Sequence, residues 1–576
     1  MQTADLQKLI DTAKTMYNQR SYAELIAILN EKINEGINDP WIFALFGHSL
    51  FLLKGAEFVD ISIKCIEQAI QADPEQAEFY VMYANLLKNC GYLVESINFL
   101  LKALELNPKL TALNYELAIL NIHLGQPEIV SKLLLKTYQE TNSVIYLATL
   151  MQYIYYDLAI SQKEILKYSK ELYKAYFNRY QPKIYDHDSN RFDTKKQILK
   201  IGFFSAHGLS DWAGVRCLCK FLDKSRFEIF GYSMASDKLP EYCNDTTSTY
   251  VQDIKSNVVA WHDCSQLAIK DIAEKVYQDQ IDIFIDLAGF SAYDPNVEAM
   301  VGVAARKPAP VVATWLSSNG TTAFPSVDYF ITSKHQVFPG DQNYFTETIA
   351  TIDNALFQVQ LEEVMKLPPI KDPPYKTNGY ITFGSFHRHI KFTNNVYQAW
   401  VKILKAVPGS KLMLKYALLD NLKISEYILS RFKLLGIDES RIIMEGPCSK
   451  YDFQDAYNKI DIALDTFPYS GGTTTIDSIY MGVPVITNMA DRPSSRVAAA
   501  ILKTLGLDDL CCLDEKSYIA KAIELAADTS KIDFYRNNLR DIISKGKMRP
   551  EDYARAFADV LNYMWENSCL KFRKQN

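Results

Sequence analysis

Residues 464–488, LDTFPYSGGTTTIDSIYMGVPVITN, hold the most informative grouping of side chains. An apolar run stops at Asp465, Pro468, Gly471 and Gly472 make a loop, and Thr473, Thr474 and Thr475 then open a helix. Amides at a helix start have no partner inside the helix, and together with hydroxyls they form a receptor for phosphate. Asp477 lies one turn further in. Its carboxylate would repel a phosphate but can accept hydrogen bonds from ribose hydroxyls. The plain alternative is a glycine turn with a threonine cap and no ligand.

Three further groupings follow apolar runs. TFGSFHRHIKF at 382–392 gathers His387, Arg388, His389 and Lys391 within five residues. Such a cationic turn suits a diphosphate or a developing negative charge, or is simply solvated. The two histidines lack acidic or cysteine neighbours at ligand spacing, so no metal is implied. FFSAHGLSDWAG at 203–214 offers His207 and Asp211 as candidate bases, with packing or surface roles as the alternative. In GPCSKYDF at 446–453, backbone groups and Lys450 could grip the edge of a base, and Phe453 could pack against a ring.

The elements that must position these groups read as two parallel-sheet domains. ILKIGFFS, SRFEIFGYS, IDIFIDLAG, APVVATWLS and VDYFITS are strand candidates within 197–370. GYITFGSF, SKLMLKY, RIIMEG, IDIALDTF and GVPVITN are the candidates within 371–550. Helical stretches such as QLAIKDIAEKVYQD and NNVYQAWVKILKAV separate them, which fits sheets covered on both faces. In such folds the C-terminal strand ends form the ligand crevice. The amphipathic segment EDYARAFADVLNYMWENS makes 551–576 a C-terminal helix and tail.

Residues 1–150 read as tetratricopeptide-like repeats, about three between roughly 20 and 150. Pro74 and Pro108, Ala84 and Ala118, Gly91 and Gly125, and Ala69 and Ala103 are each 34 residues apart. Small residues let the helices of a hairpin approach, and glycine serves the turn. Gly47 precedes Ala84 by 37 residues, so the unit containing GAEFVDIS is three residues longer. The 34-residue spacing of Pro40 and Pro74 conflicts with that register. Such arrays make curved binding surfaces or dimerise. Residues 151–196 form a helical connector ending in the polar linker DHDSNRFDTKK.

Composition narrows the function classes. With 576 residues, 48% apolar and 23% charged, the chain suggests two to four globular domains. A net charge of -6 and no long basic block give no footprint for nucleic acid. No secretory signal and no 18-residue apolar run appear, so a cytoplasmic protein with no membrane span is expected. Ten scattered cysteines fit reduced thiols.

Taken together, FFSAHGLSDWAG, IDLAGF, RKPAPVVATWLSSNGTTAFPSVDYFIT, ITFGSFHRHIK, DTFPYSGGTTTID and SSRVAA resemble the O-linked N-acetylglucosamine transferase family, glycosyltransferase family 41. That family is grouped with bacterial asparagine-glycosylating adhesin transferases, and the resemblance covers essentially the whole chain. It implies a GT-B-type α/β fold: two facing Rossmann-like lobes behind an all-α repeat module, the first on the acceptor side and the second on the UDP-sugar side. It implies transfer of a hexose or N-acetylhexosamine from UDP to a Ser, Thr or Asn side chain, metal-independent and inverting, with no cofactor. The partner is a protein or peptide acceptor engaged by the repeats, and self-association into a homo-oligomer stays open.

By the same resemblance Lys391 is the essential lysine at the donor diphosphate, and Arg388 replaces a glutamine common in the family. Thr473 and Thr474 contact phosphate, Asp477 the ribose, and Lys450 with the backbone of Cys448 the uracil. The chain departs from the pattern at three places. Gly472 and Phe453 stand where many members have histidine. The usual loop with two histidines is replaced by Asp211-Trp212-Ala213-Gly214-Val215. His207, in a SAH resembling the asparagine-glycosylating branch, is then the substitute polar group beside Asp211. The competing function is a repeat scaffold whose sheet domains no longer catalyse. A free UDP-sugar epimerase is a third option that leaves the repeats without a purpose.

Overall fold

The computed structural model describes residues 3–206, 214–234, 245–289, 297–316, 319–356, 358 and 366–575. His207 and Asp211 therefore lie outside the described residues. The chain divides into two compact units, Met1–Thr137 with Leu418–Ser430, and Tyr138–Ala417 with Arg431–Asn576.

The periodic small residues of the first unit build helical hairpins. Helices Pro40–Lys54 and Val59–Ala72 make one, and Ala77–Asn89 and Leu93–Leu106 the next. Ala69, Ala84, Ala103 and Ala118 are buried where the helices meet. Gly91 and Gly125 adopt φ of +83° and +67°, which glycine takes without a Cβ penalty. A Cβ on Gly47 would lie 2.7 Å from Cys65 Cβ. The longer unit is explained by a longer first helix and a 3-10 turn at Gly55–Phe58. Pro40 opens its helix behind an Asp39 cap, whereas Pro74 lies in the loop before Ala77, so the two prolines are not equivalent. Helix begins at Thr3, with Thr3–Asn18 and Tyr22–Asn34 ahead of the expected start near 20. Residues 418–430 join this unit through Tyr427, whose hydroxyl accepts from Gln126 Nε2 at 2.9 Å.

The second unit contains two parallel sheets. The first comprises β1 (Leu199–Ser205), β2 (Phe227–Ser233), β3 (Ala260–Asp263), β4 (Ile283–Asp286), β5 (Val311–Trp315), β6 (Tyr329–Ser333) and β7 (Thr348–Ile352), in the order β3-β2-β1-β4-β5-β6-β7. The other comprises β8 (Thr382–Ser385), β9 (Lys411–Lys415), β10 (Ile442–Glu445), β11 (Ile462–Leu464), β12 (Val485–Asn488) and β13 (Cys511–Cys512), in the order β10-β9-β8-β11-β12-β13. Both orders reverse at an inner strand, between β1 and β4 and between β8 and β11. Rossmann-like sheets bind ligands outside the strand ends at such a switch point.

All ten strands read from apolar runs are present, in a GT-B-like pair of Rossmann-like lobes behind helical repeats. The long C-terminal helix, Pro550–Gln575, packs on the first sheet rather than the second. Phe557 lies 4.7 Å from Trp315, and the Tyr553 hydroxyl donates to Leu356 O at 3.1 Å. Among the described residues no helix is long and apolar enough to cross a membrane.

Candidate active site

The loops leaving β8 and β11 flank the switch point of the second sheet and carry Arg388, Lys391, Thr473 and Thr474 of the residues read from the sequence. β11 delivers Asp465, fully buried, whose Oδ1 accepts from Thr466 N at 2.8 Å and Gly471 N at 2.7 Å. Its Oδ2 accepts from the Thr487 hydroxyl at 2.6 Å. The carboxylate thereby folds the loop back so that Gly472 caps helix Thr473–Tyr480. Gly471 is needed for the close approach, since a Cβ there would lie 2.7 Å from both His387 Cε1 and Thr475 Oγ1.

His387, from the β8 turn, bridges this loop. Its Nε2 is 3.3 Å from Asp465 Oδ1 and its Nδ1 is 3.1 Å from Thr474 Oγ1. Burial, and then the Lys391 charge, hold its pKa well below the usual histidine value, so the ring is neutral. This corrects the cationic turn of four: His387 carries no charge, and His389 is buried too. The ring thus lies between the Asp465 carboxylate and the Thr474 hydroxyl, with Nδ1 and Thr474 Oγ1 hydrogen-bonded to each other. The Thr474 hydroxyl is therefore engaged inward. The backbone N–H groups of Thr473 and Thr474, and the exposed Thr473 hydroxyl, remain for an anion at the helix start.

Lys391 stands at the same place. Its half-buried ammonium donates to Ser470 O at 2.8 Å and sits 4.6 Å from the centroid of the Tyr469 ring. Burial lowers its pKa to about 8, opposed by Asp465 and assisted by Arg388. Burial likewise raises Asp465 to about 6 against the pull of Thr487 and Lys391. Arg388 is exposed on the same turn.

Asp477 is half-buried and accepts from Gln454 Nε2 at 3.3 Å. The Tyr457 hydroxyl donates to Thr474 O at 3.0 Å, tying the same helix to the segment after β10. In that segment Cys448 and Lys450 are exposed, and Ser449 caps helix Lys450–Asp455. Phe453 packs beside Phe386 and Tyr457, at 5.7 and 6.0 Å, so its ring supports the core under the loop. Gln454, Tyr457 and Tyr469 acquire their roles through side-chain pairings 17 or more residues apart in the chain, with no spacing signal. Among the described residues no group of three His, Cys, Asp or Glu is placed to hold a metal.

The two lobes meet beside this site. The Tyr469 hydroxyl donates to Asn319 Oδ1 at 2.8 Å. Gln336 Nε2 donates to Pro493 O at 3.2 Å, and Arg496 Nη1 is 2.6 Å from Asp341 Oδ2. SSRVAA is thus part of the joint between the sheets.

A model of glycosyl transferase family 41 matches residues 164–367 and 375–551. A Solanum lycopersicum protein named "Probable UDP-N-acetylglucosamine--peptide N-acetylglucosaminyltransferase SPINDLY" is 32% identical over 311 residues, covering 54% of this chain and 33% of that protein. The Petunia hybrida protein of the same name is 29% identical over 392 residues, covering 67% of this chain and 40% of that one. The chain thus spans well under half the length of these curated relatives. A solved structure of a Thermobaculum terrenum O-GlcNAc transferase mutant has the same fold, with a TM-score of 0.71 at 23% identity, covering 92% of this chain and 98% of that one.

Proposed function

The chain belongs to glycosyl transferase family 41, and on that footing we propose that it transfers a hexose or N-acetylhexosamine from a UDP-sugar to a protein side chain. The observation that carries this reading is the convergence of the Lys391 ammonium, the start of helix Thr473–Tyr480 and Asp477 at one switch point. The amides and Lys391 receive the diphosphate, Asp477 accepts from the ribose, and the exposed segment of Cys448 and Lys450 meets the uracil, with Arg388 at the rim. The acceptor nucleophile attacks the anomeric carbon. The bond from that carbon to the diphosphate oxygen breaks, its electron pair stays on UDP, and the acceptor proton passes to a base. His207 or Asp211 is the proposed base. The relatives' name points to a peptide acceptor and to N-acetylglucosamine as the sugar, and the repeats supply the surface for a protein partner.

Incubation with UDP is expected to raise the thermal midpoint more than GDP or CDP at equal concentration, because the nucleotide binds the folded chain. Transfer of isotope-labelled sugar from UDP to lysate protein completes the test. Equal shifts with all three nucleotides would remove uracil recognition. No transfer from any UDP-sugar would leave the scaffold reading.

Asp477→Ala should weaken UDP binding by about 1–3 kcal/mol, the cost of unpairing hydrogen-bonding groups. Thr474→Val should cost less, since its hydroxyl is already paired with His387 Nδ1. Calorimetric titration of both variants checks the order. Parent-like affinity in Asp477→Ala would place the ribose elsewhere.

A further inference from the structure

The connector between the repeats and the first sheet carries an aromatic run, IYLATLMQYIYYDLAI, that the transfer reaction leaves without a role. Its 3-10 turn, Ile154–Tyr156, ends on a buried ring. Tyr156 stacks on Tyr469 with centroids 4.6 Å apart and planes 5° from parallel. Tyr469 is the residue whose ring lies under the Lys391 ammonium. We propose that Tyr156 is a positioning residue for Lys391, its ring holding Tyr469 and, through it, the ammonium in place. The inference rests on the reading that Lys391 meets the donor diphosphate only for its consequence on turnover.

A lysine ammonium on a four-carbon stem keeps one position only where its surroundings fix it. Lys391 has two such anchors on consecutive residues, the Ser470 carbonyl and the Tyr469 ring. Ser470 is secured by its own bonds: its N–H and its hydroxyl donate to Ser494 O at 3.2 and 3.1 Å, and the hydroxyl accepts from Val497 N at 3.0 Å. The Tyr469 carbonyl accepts from Thr466 Oγ1 at 2.9 Å, and its hydroxyl donates to Asn319, which fixes the hydroxyl end of the ring. The stacked face of Tyr156 supplies the remaining constraint and keeps water from that face. Parallel aromatic pairs of this kind add to simple burial. Burial acts on the ammonium, with Asp465 and Arg388 also acting on its charge and neutral His387 beside it.

Removing the ring should therefore loosen Tyr469 and admit water beside Lys391. Loss of burial returns a depressed lysine pKa toward its ordinary value. The test is a pH titration of full-length protein carrying 13C-labelled lysine, with the Lys391 resonance identified by its absence in Lys391→Arg. The parent should titrate at about 8. Tyr156→Ala and Tyr156→Leu should both move upward toward 10.5, while Tyr156→Phe, which keeps the stacked ring, should stay with the parent. Tyr156→Leu retains apolar volume and serves if the alanine variant does not fold. Turnover should fall about 10- to 100-fold in Ala and Leu, as for a displaced catalytic group, and return in Phe. A parent-like midpoint in a folded Ala or Leu variant overturns the proposal, and so does a Phe variant shifted as far as Ala. The titration needs no substrate. A failure of Lys391 to matter for transfer is a separate result, read from Lys391→Ala.

Discussion

Lys391→Ala is expected to cut turnover by about 100-fold or more while UDP still binds, as for loss of one preorganised electrostatic donor. When the anomeric bond breaks, negative charge collects on the diphosphate oxygen. Only a group that interacts more strongly with that charge than with the intact donor lowers the barrier. The ammonium is anchored by Ser470 O and the Tyr469 ring, beside amides that share the load, so it need not reorganise during the reaction. The effect should therefore fall on turnover more than on donor affinity, and it should be the same in EDTA, since the positive charge comes from the chain itself. The depressed pKa gives a second signature. Free Lys391 is charged below about 8 and loses its proton as pH rises through that value. The pH profile of kcat/KM, which reports the free enzyme, should fall on that alkaline side in the parent. Normal turnover in a Lys391→Ala protein that binds UDP would defeat the mechanism.

The strands that sequence reasoning found and missed differ in one physical respect. The ten it found carry nearly continuous apolar runs. The three it missed, β3, β7 and β13, are edges of their sheets; the fourth edge, β10, was found because Ile442, Ile443 and Met444 keep the apolar run. The residues of the missed strands are partly exposed: β3 has no buried position and β7 only two. A strand with a neighbour on one side only needs less apolar side chain, and its sequence loses the signature. The C-terminal helix shows a complementary limit. Its amphipathic period was plain, but a period names no partner, and its apolar face lies on the first sheet, beside Trp315 and Tyr329. In the site, Lys391, Thr473, Thr474 and Asp477 were legible because each belongs to a local pattern after a strand. His387 was read as a cation because its neighbours in sequence are cations. Its neutrality comes from burial and then from the Lys391 charge, and only the folded chain buries it.

Arg496→Met is expected to lower unfolding free energy by about 3–5 kcal/mol, the usual penalty for removing one partner of a buried ion pair. Arg496 is 1% exposed and Asp341 4%. Besides its 2.6 Å contact with Asp341, the guanidinium donates to Gln336 O at 2.9 Å and to Ala490 O at 3.0 Å, and lies 3.6 Å from the Phe338 ring centroid. Asp341 and Gln336 belong to the lobe of β1–β7 and Arg496 to that of β8–β13, so the pair sits in the joint between the two sheets. Without the arginine, the Asp341 carboxylate stays buried with Phe338 N, at 2.8 Å, as a remaining donor. The penalty arises from that stranded charge more than from the lost attraction, and this has a measurable consequence. Arg496→Met with Asp341→Asn should be more stable than Arg496→Met alone, because the second change removes the charge. Urea unfolding of parent, both single variants and the double variant gives the coupling energy directly. Additive effects of the two substitutions would mean that the pair contributes nothing specific to the joint.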